Sequence, residues 1–300
     1  MQEANSMTQS KAIKQESILR DYYELGKPRI TMFVCMTAMA SFYLASTNGV
    51  AVDRLIFATI GIYMVSFGSC VFNQIIEIRI DQRMHRTQNR ALPTYRVPLL
   101  HAWLLGMITT LLGLLMMFFQ VNTAATLWLL AAWCGYVLIY TPLKVKTTLN
   151  TLVGSVVGAL PPIVGWVSAR GRLGFEGVIL FLILFFWQLP HFLAISWMYR
   201  DDYARAKVKM ITSVDPAGIL TPRQAFLYTV LLFPVVMLPF VFSMAGYIYL
   251  IGTLFLTALF TKAVVEFWKI TDQKNAKLVL LTSIIYLPAV FILLVVDKVG

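Results

Sequence analysis

Long apolar runs separated by short polar stretches make up most of the chain. Nine runs, roughly 30–47, 55–76, 98–119, 122–140, 149–169, 174–199, 224–243, 246–265 and 278–296, are long enough as helices to cross a hydrocarbon core of about 30 Å. Inside them apolar residues follow one another without the in-out alternation that barrel strands need, so the pattern predicts helices. The expected fold is all-α, a polytopic membrane protein with residues 1–26 as a loose polar tail and 27–300 as a single nine-helix domain.

Composition excludes the soluble alternative, because 59% of the 300 residues are hydrophobic and only 13% are charged. The first 20 residues show no apolar core and no small-residue cleavage site, so no signal peptide is expected. Charge then orients the chain. Of 25 lysines and arginines, all but Arg54, Arg170, Arg172 and Lys298 fall on one side of the nine-span layout. The N-terminus is therefore expected in the cytoplasm and the C-terminus outside. The formal charge of +11 follows from that topology and from attraction to an anionic leaflet; no nucleic-acid partner is needed to explain it. Cys35, Cys70 and Cys134 lie within spans without metal-type spacing and read as buried small hydrophobes.

The acids are not at mid-bilayer, where an ion-coupled transporter places them. Glu77, Asp81, Asp201, Asp202 and Asp215 sit at or beyond the cytoplasmic ends of spans two and six, so a cytoplasm-facing mouth is the expected active surface. Asn73, Glu77 and Asp81 are spaced i, i+4, i+8; on a helix each step turns about 40° and rises about 6 Å, which lines the three oxygens up as a stripe. Mg²⁺ typically takes one or two carboxylates and fills its other positions with water and phosphate oxygens, so a partly filled stripe suits a phosphorylated substrate. Arg86 and Arg90 follow with guanidinium forks that match phosphate. A salt-bridged, solvated loop is the competing reading of the same residues. Two further mouths repeat the juxtaposition: Tyr140 and Lys144 in YTPLKVK, with Pro142 between them, and Asp201 and Asp202 followed by Arg205, Lys207 and Lys209 in YRDDYARAKVKM.

At these residues the chain resembles the UbiA superfamily of intramembrane prenyltransferases, in its haem O synthase (protohaem IX farnesyltransferase) branch. The resemblance spans residues 21 to about 223 and rests on KPR at 27–29, NQIIEIRID at 73–81, RTQNR at 86–90, YTPLK at 140–144, GALPPIVGW at 158–166, WQLPHF at 187–192 and RDDYARA at 200–206. It implies a nine-helix bundle around a central cavity, in the bacterial inner membrane. It also implies a farnesyl diphosphate donor, a haem B acceptor and haem O as product, with water supplying a new hydroxyl.

By the same resemblance, Mg²⁺ is held by Asn73, Glu77 and Asp81 and at the second motif by Asp201 or Asp202. Arg86, Arg90, Lys144, Arg205 and Lys209 bind diphosphate, and Tyr140 steadies the diphosphate or the allylic cation. WQLPHF points to haem through Trp187, Gln188 and His191. His191 lies about nine residues, roughly 13 Å, inside the end of span six, and a hydrogen-bonded packing role is its alternative. His85 and His101 read as interface residues. A haem A synthase or terminal-oxidase assembly is the implied protein partner.

The chain departs from the branch at three places. Glu77 and Arg79 stand where Asp is usual, Tyr199 and Tyr203 occupy the positions of a second D-x-x-x-D, and Lys207 and Lys209 replace Gly and Pro, which predicts an altered loop shape. The competing functions are a sister prenyltransferase acting on an aromatic quinone precursor, and a transporter or channel.

Overall fold

The computed structural model describes residues 18–47 and 49–299. Among these, nine helices are long and apolar enough to cross a membrane: α1 Pro28–Ala45, α2 Val52–Ile76, α3 Leu99–Gln120, α4 Thr123–Leu143, α5 Asn150–Arg170, α6 Phe175–Met198, α7 Leu220–Val241, α8 Tyr247–Lys269 and α9 Gln273–Val296. The all-α, nine-span expectation holds. The largest differences in boundary are at α7, α8 and α9, whose helices run several residues past the apolar stretch into polar sequence such as Gln273–Asn275. Helix formation there needs only backbone bonds and a cap, and Asp272 supplies one by accepting from Asn275 N at 2.7 Å.

Small residues set the packing. A Cβ on Gly113 would come within 2.8 Å of Gly61 O, and one on Gly165 within 2.0 Å of Ala38 O, so α2 meets α3, and α1 meets α5, backbone to backbone. The α6 helix packs on α7, α9 and both halves of α5, and α7, α8 and α9 form successive hairpins. At one end of the bundle Lys298 Nζ donates to Tyr43 O at 3.0 Å, and Arg54 lies against Ala169 O. The four basic residues that the sequence layout set apart thus belong to that end, and the polar mouth belongs to the other.

Two helices are interrupted where proline withdraws a backbone donor. Pro161 and Pro162 divide α5 into Asn150–Gly158 and Leu160–Arg170. In α4, the stretch Gly135–Tyr140 just before Pro142 is a π-helix, a local widening that re-seats the carbonyls left without partners. Residues 18–25, expected to lie in a loose tail, are helical. Arg96 grips Asp21 through two bonds of 2.8 and 2.9 Å, and Gln74 Nε2 donates to Leu25 O at 2.8 Å, which docks this segment on the mouth. Residues 1–17 of the expected tail lie outside the described residues.

Candidate active site

The mouth is built on the end of α2. Its last turn does not stop cleanly, because Glu77 N bonds Asn73 O at 3.0 Å and Asp81 N bonds Glu77 O at 2.8 Å, so the i, i+4, i+8 ladder runs into the short helix Ile78–Asp81. Asn73, Glu77 and Asp81 are all buried, while Arg79 between them is exposed, as the helical geometry of the stripe requires.

Each of the three donors faces a cation. Lys144 Nζ lies 2.6 Å from Glu77 Oε1, and Arg90 Nη1 donates to Asp81 Oδ2 at 2.9 Å. Lys27, which the sequence reading left without a role, donates to Asn73 Oδ1 at 2.5 Å. Asn73 Nδ2 in turn donates to Thr141 Oγ1 at 3.0 Å, tying α2 to α4. Burial pushes the Glu77 carboxyl up, but the Lys144 and Lys27 charges outweigh it and hold its pKa below the ordinary carboxylate value. Lys144 is pushed down by burial and raised further by Glu77, so it ends well above the usual lysine value. Both directions describe one ionised pair.

Lys144 also lies over the Tyr140 ring, 4.7 Å from its centroid, so the expected juxtaposition survives the π-turn. Tyr140 is packed against Gly154, where a Cβ would come within 2.5 Å of the ring. Below this rim is a cavity of about 180 Å³. Arg86, Tyr140 and Tyr203 line its polar side and Phe192, Ile195 and Met210 its apolar side.

The two acids of the second mouth are placed differently. The Asp201 side chain is 93% exposed, with Arg200 3.8 Å away. Asp202 turns inward, but its oxygens accept from the backbone N–H groups of His85 and Arg86, each at 3.2 Å, and from Arg205. Burial raises this carboxyl, and those backbone donors with Arg205 bring it below its ordinary value. Arg86 is thereby presented with its guanidinium 4.3 Å from the Tyr199 ring and its Nη2 3.3 Å from Tyr203 Oη. The tyrosines at the expected D-x-x-x-D positions hold an arginine.

Arg205 joins Asp202 and His85 rather than the stripe. Lys209 has an exposed side chain; what reaches the site is its backbone, with N bonding Lys144 O at 2.8 Å and O accepting from Asn150 Nδ2 at 2.6 Å. In the loop where Lys207 stands in place of glycine, Lys207 holds φ 56°, the left-handed backbone that glycine adopts freely. Asp215 is a turn acceptor for Ile219 N and Thr221 N, at 2.9 and 2.7 Å.

WQLPHF faces α9. Trp187 Nε1 donates to Ser283 O at 2.9 Å, and the Trp187 and His191 rings stack with centroids 5.1 Å apart. Ser283 Oγ donates its single proton to Leu280 O at 2.6 Å, so at 2.7 Å from the same oxygen His191 Nδ1 must be the donor. That fixes the tautomer and leaves Nε2 with its lone pair. Gln188 is buried and occupies the space that Gly158 leaves, where a Cβ would stand 2.2 Å from Gln188 Oε1.

Among the described residues no three His, Cys, Asp or Glu side chains stand close enough to form a metal cage. The stripe nonetheless fits Mg²⁺: two buried carboxylates and an amide in a row match an ion that completes its shell with phosphate oxygens.

Comparison with known proteins brings three findings. The sequence profile of the UbiA prenyltransferase family matches residues 34–285. A protoheme IX farnesyltransferase of Solibacter usitatus is 37% identical over 297 residues, covering 94% of this chain and 100% of that one, and one of Salinibacter ruber is 39% identical over 280 residues, covering 93% and 99%. In fold, a digeranylgeranylglyceryl phosphate synthase structure matches with a TM-score of 0.78 at 19% identity, covering 94% of this chain and 98% of that one. A UbiA homologue from Archaeoglobus fulgidus bound to GPP and Mg²⁺ matches with a TM-score of 0.65 at 13% identity, covering 91% and 99%.

Proposed function

The chain belongs to the UbiA prenyltransferase family, and from that premise we propose that it transfers a farnesyl group from farnesyl diphosphate to a vinyl group of haem B, with addition of water, giving haem O. The observation that carries this reading is the buried, cation-lined stripe above a cavity with an apolar wall, joined to near-full-length identity with protoheme IX farnesyltransferases.

The allylic C–O bond breaks first, and the leaving diphosphate takes both electrons. Lys144, Arg86, Arg90 and Lys27 receive that charge in a site removed from bulk water. Asn73, Glu77 and Asp81 would hold Mg²⁺, which supplies further neutralisation of the leaving group. Tyr140, packed beneath Lys144, shields the allylic cation. The vinyl carbon attacks that cation, and water adds to the neighbouring carbon and loses a proton. Phe192, Ile195 and the apolar bundle hold the prenyl tail, each buried methylene contributing about 0.8 kcal/mol. His191, with Nδ1 held by Ser283, offers Nε2 to the haem iron, and Trp187 and Gln188 shape the wall beside it.

The protein then sits in the bacterial inner membrane with its N-terminus cytoplasmic and its C-terminus periplasmic, because the mouth shares its end with the basic loops. Expression in a host lacking haem O, followed by chromatography of extracted haems, tests the reading. A haem O peak is expected; a prenylated aromatic acid without haem O would assign the chain to a different acceptor.

A further inference from the structure

The stripe is matched to its cations one to one, and the cations come from three separate segments. Lys27 precedes α1, Arg90 lies in the loop after α2 and Lys144 follows α4. Lys27 is held in place by its backbone. Gly26 sits under the Phe67 ring, where a Cβ would come within 1.9 Å of Cδ2, and Lys27 takes φ 47°, a conformation L-residues rarely adopt, immediately before Pro28.

A carboxylate oxygen facing an ammonium at 2.6 Å cannot also face a dication without bringing like charges together. The Lys144 ammonium is a point charge on a flexible four-carbon stem, so it can turn from Glu77 to another anion. A diphosphate presents several anionic oxygens to all three cations at once, and charge-assisted bonds to it replace those they leave.

We propose that Lys27, Arg90 and Lys144 cap the stripe in the resting protein and pass to the incoming diphosphate, so that the divalent ion seats together with the diphosphate and not before it. This rests on the reading that the mouth binds a prenyl diphosphate. It assigns Lys27 a binding role and sets an order of assembly: the mouth keeps its two carboxylates covered when empty and opens them only to a metal that arrives with substrate.

The test is Mn²⁺ titration of the purified full-length protein in detergent, followed by the paramagnetic resonance of free Mn²⁺, with and without inorganic pyrophosphate and against protein-free blanks. In the wild type pyrophosphate should tighten Mn²⁺ binding roughly 5–150-fold, and Mn²⁺ should tighten pyrophosphate binding by the same factor. Lys27→Gln and Lys144→Gln should bind Mn²⁺ without pyrophosphate, whereas Lys146→Gln, an exposed lysine outside the trio, should behave as the wild type. If one paired variant fails to fold, as judged by size exclusion, the other carries the comparison. Mn²⁺ binding to the wild type equally tightly with and without pyrophosphate, or paired variants that match Lys146→Gln, overturns the proposal. Haem conversion by the wild type, assayed in parallel, separates the two levels: product alongside pyrophosphate-independent Mn²⁺ defeats the exchange alone, and no product defeats the reading beneath it.

Discussion

At the end of α2 both carboxylates are buried and each faces a lysine or arginine, whereas at the end of α6 Asp201 is 93% exposed and Asp202, buried and paired with Arg205, also holds two loop N–H groups. Similar letters at similar places in the fold do different work. On the proposed function the first mouth presents charge to a ligand; the second positions the loop that carries Arg86. The difference is decided by what each oxygen already touches.

Replacing the acids of the first mouth should do most. Glu77→Gln with Asp81→Asn is expected to abolish haem O formation, on the order of 10²–10³-fold for each lost electrostatic contact, in protein that still inserts and purifies. Haem O yield near that of the wild type would break the assignment of the first mouth.

Asp202→Asn should act through Arg86. Lost hydrogen bonds to a charged acceptor, about 1.5–3 kcal/mol each, loosen residues 85–86, and the expected result is a rise of roughly tenfold or more in KM for farnesyl diphosphate with a smaller change in kcat. Stability carries a second signature. The Asp202 pKa is lower in the folded protein than in the unfolded chain, so its contribution is complete above the unfolded value of about 3.9 and is lost as pH falls through the folded value. Thermal unfolding in detergent between neutral pH and pH 3 should show an acid-side loss that Asp202→Asn diminishes.

Lys207→Gly sharpens the comparison from the opposite direction, since it relieves a left-handed backbone in the loop beside Asp202. Stability should rise by about 1 kcal/mol with turnover unchanged, seen as a higher unfolding temperature. Asp201→Ala should have the smallest effect, within about 0.5 kcal/mol on stability and without effect on turnover. A loss of activity as large as that of Asp202→Asn would erase the asymmetry.

The sequence made the nine spans legible because about 20 apolar residues in a row leave the backbone few alternatives to a helix. It made the stripe legible because Asn73, Glu77 and Asp81 repeat at helical spacing, and it placed Arg79 on the opposite side for the same reason. Lys27 was beyond its reach. That amine arrives through a left-handed residue wedged between Gly26, under Phe67, and Pro28, a product of tertiary packing. Nor could adjacent acids be told apart: Asp201 and Asp202 differ by about 100° around a helix, and only the docking of residues 85–86 selects Asp202. The Lys209 letter points to its charge, while the contact seen in the fold is made by its backbone, a pairing no sequence pattern encodes.

The most direct test of the account is a structure of the protein with a non-ionisable farnesyl diphosphate analogue and Mg²⁺. The diphosphate is expected within hydrogen-bond reach of Lys144 and Arg86, above the cavity lined by Tyr140 and Phe192. A diphosphate lodged instead in the larger cavity of about 620 Å³ beside Tyr199, Lys274 and Lys277, with Glu77 and Lys144 still paired to each other, would contradict it.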